Sequence, residues 1–365
     1  MKKINIILVC LLAVAFSSCS RLLMEKDEPS NPVNVFQYLW SKVDQQYSFF
    51  DIKGVDWDSV YAVYSPLVND EMSDDSLFRV CAAMLNTLHD GHTDLTSDFD
   101  YGFSDTMFYW NLDNRNFNGD IVKRNYLTVN AHVTGSLAHN AIRDGKVAYV
   151  RYSSFSSNIS EGDLQYILNR YSNCDGIILD LRQNGGGSDQ NITKLLSILD
   201  CHGQPLYMVQ HKAGPGHNDF TSPVTIHAPA KSILETPYTK PIAVLIDRGS
   251  FSATSYFAIC TQAFDNVKLF GDYTGGGTGM PNGGLLPNGW NYRFSCSRSI
   301  ALDGGNYENG VPPEVRVLLD PVAVAQGLDN IIETAADEIV YGNAAIASRC
   351  EVFIRHYKKN PCNSL

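Results

Sequence analysis

Basic residues are scarce in this 365-residue chain: 28 Lys and Arg stand against 39 Asp and Glu, a formal charge of -11. That balance argues against nucleic acid as the main partner and disfavours tight binding to acidic membrane surfaces. No Cys-x-x-Cys pair occurs. The glycine tract at 185–187 is not followed by Gly-Lys-Ser/Thr and lacks the G-x-G-x-x-G spacing, so neither a Walker loop nor a dinucleotide fingerprint is present there. The N-terminal apolar run, Ile4 to Phe16, has 13 residues, too few to span a bilayer comfortably. Apolar residues still make up 44% of the chain, enough to bury a sizeable core in one large domain or two modest ones.

Lys2 and Lys3, the apolar run and Phe16-Ser17-Ser18-Cys19 form a targeting segment that takes no part in the fold. Small residues directly before a cysteine match a bacterial lipobox, so residues 1–18 are expected to be a lipoprotein signal peptide and Cys19 its acylated cysteine. An ordinary secretory signal with an incidental cysteine is the alternative. Residues 19–32, polar with two prolines, read as a tether. The expected location is the cell envelope, lipid-anchored, with the membrane as a partner through that anchor. Seven cysteines remain beyond Cys10 and Cys19. An oxidising compartment would allow disulfides, and an odd number leaves at least one thiol free. Cys81 and Cys260 lie in apolar runs as core residues, and Cys350 could pair with Cys362.

Residues 33–95 read as a small helical bundle. Val35, Phe36, Leu39, Trp40 and Val43 keep helical spacing, as do Trp57, Val60, Tyr61 and Tyr64 after an Asp56 start signal. Leu77, Val80, Cys81, Met84 and Leu85 follow Ser73-Asp74-Asp75. Gly91 reads as the helix stop. Residues 96–145 read as an irregular insert or linker, with no element before Tyr126 to Val133. From 146 to 320 strands alternate with helices, which argues for a mainly parallel sheet layered by helices. Strands are expected at Val147–Tyr152, Gly176–Leu181, Leu206–Gln210, Ile242–Ile246, Val267–Phe270, Tyr292–Ser295 and Ser299–Leu302. Residues 321–365 close the chain with helices near 329–341 and 344–357.

Three groups of residues invite chemistry. Ser252 follows the Ile242–Ile246 strand and the Gly249-Ser250 turn and opens a helix. A hydroxyl there is either an N-cap or a nucleophile held near the positive helix end. Asp180-Leu181-Arg182-Gln183-Asn184-Gly185-Gly186-Gly187 ends an apolar strand in three glycines, whose N–H groups suit either a tight turn or an oxyanion. In His89-Asp90-Gly91-His92-Thr93-Asp94, the His-x-x-His spacing could seat a metal with Asp90 or Asp94. No second pair lies downstream, so no metal is expected, and His92 could instead be a general base. Glu308, between Tyr307 and Asn309-Gly310, matters only if a histidine needs an orienting carboxylate.

Together these blocks, with Gly271-Asp272-Tyr273-Thr274-Gly275-Gly276 and Glu308-Asn309 before Val311-Pro312-Pro313-Glu314, resemble the C-terminal processing (tail-specific) serine peptidase family. The likeness is to its tricorn-like branch and to exported Bacteroidetes-type members, and it covers about residues 33 to 320. The resemblance implies an α/β fold with a ClpP/crotonase-like core of β-β-α units behind the helical bundle, not a doubly wound sheet. It implies Ser252 as nucleophile, and Ala253 with Gly186 or Gly187 as the oxyanion hole. A peptide or protein is the implied substrate, and no cofactor. Many members use a Ser-Lys dyad with the lysine 25 residues after the serine, but Gly277 stands there, and Lys268 is nine residues short. The branch lacking that lysine uses a histidine from the Asp-Gly-His motif, oriented through a carboxylate late in the core, and the resemblance implies His92 and Glu308 in those places. Gly91 replaces the serine that precedes the histidine in the tricorn pattern. Residues 96–145 are too few for a PDZ module, so none is expected. The expected activity is a Ser-His-Glu serine endopeptidase. The alternatives are a silent ligand- or peptide-binding lipoprotein on the same fold and, in third place, an envelope scaffold.

Overall fold

In the computed structural model, residues 28–103 and 116–342 are described. The signal segment, Cys19, most of the tether, the helix expected near 344–357, and Cys350 and Cys362 lie outside them. Helix α1, Pro32–Gln46, starts with a proline in its first turn, where no N–H is needed, and buries Val35, Phe36, Leu39 and Val43. The four-residue helix α2, Phe50–Lys53, is stopped by Gly54 in the left-handed region. Asp56 caps α3, Trp57–Tyr64, by accepting from the Ser59 N–H. Ser73 caps α4, Asp74–Asn86, with Asp74 and Asp75 at its positive end. Helix α4 stops before Gly91 is reached. The left-handed residue in the following turn is His89, at φ 48°, so the stop assigned to Gly91 is corrected.

These helices bury their apolar faces against Leu286, Trp290, Tyr292 and Phe294, which come from the far half of the chain. Strand β1, Asp94–Thr96, carries the link. It lies between β2, Tyr101–Phe103, and a late strand in a four-stranded antiparallel sheet. The N-terminal helices therefore share a core with a strand and loop from the late part of the chain.

The central sheet has seven strands. Strands β3 (His132–Thr134) and β4 (Leu137–Ile142) form a hairpin that adds antiparallel to β5 (Val147–Tyr152). Residues 132–142 are thus regular, contrary to the sequence reading. Their polar residues His132, His139 and Asn140 hid a hairpin that pairing with β5 imposes. Beyond β5 the sheet runs parallel through β6 (Gly176–Asp180), β9 (Ile242–Ile246), β10 (Val267–Gly271) and β14 (Val315–Arg316). Helices α5 (Glu161–Arg170), α6 (Asp189–Leu196) and α7 (Ala253–Cys260) contribute to one core with Ile242, Val244 and Ile246 of β9. Ala243 and Leu245 of the same strand pack with Ile331, Ile332, Ala335 and Ile339, which lie on a helix over Asn330–Tyr341. Burial on both faces explains why β6 and β9 read as unbroken apolar runs.

A three-stranded antiparallel sheet joins β7 (Pro205–His211), β8 (Val224–His227) and β13 (Ser297–Ala301). Strands β11 (Pro281–Leu285) and β12 (Asn291–Ser295) complete the four-stranded sheet with β1 and β2. Strands β12 and β13, consecutive in the chain, are each antiparallel to other partners. Only Cys296 separates them, and the chain changes sheets there. The five described cysteines, Cys81, Cys174, Cys201, Cys260 and Cys296, are free thiols. No helix among the described residues is long and apolar enough to cross a membrane.

Candidate active site

The nucleophile turn begins where β9 ends. Asp247 is fully buried and accepts from the N–H groups of Gly249 and Gln183 and from the Gln183 side chain. One carboxylate thus ties this turn to the glycine loop after β6. Ser252 then sits at φ 56° and ψ -118°, a conformation that L side chains rarely adopt. Its N–H donates to the Gly276 carbonyl at 2.9 Å, while Phe251 N–H donates to the Asn184 carbonyl at 3.0 Å. Although Ser252 occupies the N-cap position of α7, its side chain makes no capping bond. The hydroxyl points elsewhere: Oγ lies 3.0 Å from Nε2 of His92.

His92 comes from the turn after α4, across the seam between the helical layer and the sheet. Its N–H donates to Asp90 Oδ1 at 2.8 Å, and its ring lies 4.9 Å from that of Phe251. The residue is 8% exposed. Burial lowers the imidazole pKa below its ordinary value; Asp90 and the Gly279 carbonyl favour the cation, while Arg293 and Lys53 oppose it. At neutral pH the ring is therefore an uncharged acceptor. Its Nδ1 is buried without a well-formed hydrogen bond, and so is Asp90 Oδ2. His89 is exposed whereas His92 is buried, so the His-x-x-His pair does not converge. Among the described residues no three His, Cys, Asp or Glu side chains gather as a metal site.

Glu308 is buried nearby, but its carboxylate does not bond the imidazole. Oε2 accepts from the Thr278 N–H at 2.7 Å, and Oε1 lies 3.3 Å from Lys53 Nζ. Burial and the neighbouring Asp90 push its carboxyl above the usual range, against the pull of Lys53 and Thr278. The glycine tract 275–277 ties Glu308 to the nucleophile. Gly275 N–H donates to Ser250 O, Gly276 O accepts from Ser252, and Gly277 N–H donates to Glu308 O. A Cβ on Gly276 would fall 1.8 Å from the Glu308 carbonyl, so only glycine fits between them. Gly277, where the dyad lysine would stand, has φ 72°, and a Cβ there would meet the Phe251 ring at 2.3 Å. Lys268 pairs with Glu338 on the C-terminal helix, at 2.7 Å.

The glycine loop after β6 approaches the same turn. Gly186, at φ 96°, passes so close that a Cβ would lie 2.9 Å from Ala253 N. Its N–H, however, donates to Asn184 Oδ1 at 3.1 Å, which removes Gly186 from the two oxyanion candidates. The N–H groups of Gly187 and Ala253 have no partner among the described residues. Asn184 holds the loop by also accepting from Phe155 N–H and donating to Tyr152 O. Ser252 and His92 open into a cleft of about 530 Å³ whose lining includes Ile192, Tyr207, Tyr256 and Arg293. Nothing in the sequence marks Lys53, Asp90 as a carboxylate facing the base, or Asn184 as the loop's anchor. Each acts through contacts that spacing does not reveal.

Residues 146–317 match the profile of peptidase family S41, and residues 31–86 that of the tricorn protease C1 domain. A solved structure of a candidate peptidase from Parabacteroides merdae is 35% identical, covers 87% of this chain and 99% of its own, and superposes with a TM-score of 0.81. Mature CPAF shares the fold at 12% identity, with a TM-score of 0.61 over 85% of this chain and 96% of its own. The carboxy-terminal processing protease CtpA of Bacillus subtilis is 23% identical over 52% of this chain. The match spans about two fifths (39%) of that relative's length. By fold, by the matched core and by the relative that it covers end to end, the chain belongs to peptidase family S41 and has that family's serine-type peptidase core.

Proposed function

We propose that the chain is a serine endopeptidase working through Ser252 and His92, with Glu308 in electrostatic support. The observation that carries this reading is the 3.0 Å contact between His92 Nε2 and the Oγ of a serine held at φ 56°. A serine that merely capped a helix would need neither the strain nor the buried partner. His92, kept neutral by burial, takes the hydroxyl proton as Oγ attacks the scissile carbonyl. The oxyanion forms against the N–H groups of Ala253 and Gly187, each worth about 2.7–4 kcal/mol of transition-state stabilisation. The imidazolium is stabilised by the buried Asp90, with Glu308 beyond it, and then protonates the leaving amine. Water hydrolyses the acyl-enzyme by the same route in reverse. No lysine serves as the base: Gly277 stands at the dyad position, and Lys268 pairs with Glu338.

Fluorophosphonate labelling together with peptide hydrolysis tests this. Both should vanish in Ser252→Ala, and labelling should fall sharply in His92→Ala. Hydrolysis that persists in Ser252→Ala would end the reading. The substrate is a peptide or protein segment seated in the cleft. We further propose an anchor at the cell envelope through Cys19, a reading that the lipobox-like Phe16-Ser17-Ser18-Cys19 supports. Metabolic labelling with a palmitate analogue should mark the wild type and not Cys19→Ala; equal labelling of both would refute the anchor.

A further inference from the structure

Behind His92 the chain buries two carboxylates and one ammonium. Lys53 is the last residue of α2, and its side chain is 9% exposed. Nζ reaches Glu308 Oε1 at 3.3 Å and Asn309 Oδ1 at 3.0 Å. The charged and titratable groups acting on Glu308 are Asp90 and Lys53, with the phenols of Tyr47 and Tyr256 also within its field. Those acting on His92 are Asp90, Arg293 and Lys53, and Arg293 pairs with Asp94. Lys53 is the cation shared by both lists that bonds Glu308.

We propose that Lys53 is a positioning residue: its ammonium, bonded to Glu308, opposes protonation of both Glu308 and His92 and so sets the pH range in which His92 serves as base. The proposal rests on the Ser252–His92 reading above. Two carboxylates buried together drive one of them neutral, and a neutral Glu308 gives no support to a cation forming on the imidazole. An ammonium at bonding distance works against that, although burial and Asp90 still hold the Glu308 carboxyl up at about 8. A buried ion pair adds little net stability compared with an apolar pair of the same volume, so stability alone does not call for a lysine here. The helical layer thereby contributes to hydrolysis through a residue that touches neither substrate nor nucleophile.

The test compares Lys53→Met, Lys53→Arg, Glu308→Gln and the Lys53→Met/Glu308→Gln double variant. Removing the ammonium raises the pKa of both His92 and Glu308. Lys53→Met should therefore move the acid limb of kcat/KM to higher pH and lower activity below neutrality by about tenfold or more. Lys53→Arg should keep the wild-type limb, and Lys53→Met should still move the limb upward in the Glu308→Gln background, because the ammonium also acts on His92 directly. In a Ser252→Ala background, the His92 ring followed by NMR should titrate at higher pH when Lys53→Met is added. Should Lys53→Met fail to fold, Lys53→Gln, which keeps a hydrogen-bond donor without charge, decides by the same shifts. An unmoved limb and an unmoved ring titration overturn the proposal. Because the NMR arm needs no hydrolysis, a shifted ring in a chain whose wild type is inert would sink the peptidase reading alone. An active wild type with unshifted variants would sink only the role of Lys53.

Discussion

Replacing Gly186 with alanine should silence the site while leaving the fold standing. The backbone there has φ 96°, and a Cβ would lie 2.7 Å from Phe251 O, 2.9 Å from Ala253 N and 2.9 Å from Ser252 Cβ. None of these atoms is the loose end of a long side chain, so the nucleophile turn itself must move. The strain of an L-residue in this region is about 1–3 kcal/mol. Displacing one oxyanion donor costs about 2.7–4 kcal/mol, or 10²–10³ in kcat. Gly186→Ala should thus lower kcat by about 10²-fold or more, with KM changed only a few-fold and the melting midpoint lowered by a few degrees. Gly289→Ala is the control: its φ is 89°, and nothing lies within 4 Å of the added Cβ. It carries the same backbone strain without the collision, so its melt should fall similarly and its kcat should not. Peptide hydrolysis, fluorophosphonate labelling rates and thermal melts on the same preparations measure all three quantities. The reasoning fails if Gly186→Ala keeps kcat within about threefold of wild type, or if Gly289→Ala loses as much.

Three further outcomes follow from the same geometry. His92→Ala should not be rescued by adding Gly277→Lys, because the lysine Cβ would collide with the Phe251 ring at 2.3 Å; recovered labelling in the double variant would refute this. The His92 pKa is lowered from 6.5, so the neutral base survives acidification and the acid limb of kcat/KM should lie below 6.5; a pH–rate profile with its limb above that value would contradict it. Burial alone would raise the Asp180 carboxyl, but Arg182 and Arg151 override it and hold it at about 2, against 3.8 for the free group. That depression contributes roughly 2 kcal/mol of stability, present above the unfolded value and lost as pH falls from about 4 through 2. Urea melts of Asp180→Asn should show a flatter acid arm than the wild type, and an equally steep arm would refute the assignment.

What the sequence made legible was whatever burial dictates locally. Strands such as Ile242–Ile246 and Val147–Tyr152 stand where their apolar runs place them, because both faces of the central sheet are covered. The small residues after Gly249 mark the start of α7, and the caps Asp56 and Ser73 mark two helix starts. Pairing over distance was not legible. The hairpin at 132–142 owes its regularity to β5, and the β1–β12 sheet joins residues nearly two hundred positions apart, as in the Asp94–Arg293 pair, where |i−j| is 199. The choice between Gly186 and Gly187 turns on one bond from Asn184, whose side chain a sequence cannot orient. Lys53 looks like any helix-end lysine until Glu308, hundreds of positions later, folds against it.

The two reacting side chains are separated by 160 residues of chain. While the polypeptide is being made, the imidazole is in place long before the hydroxyl, and the carboxylate at 308 is later still. Neither the helical layer nor the sheet holds a competent pair by itself, and no short-range intermediate can assemble one. Latency during synthesis therefore needs no inhibitory segment: the reacting pair exists only when the first and last thirds of the chain have closed on each other.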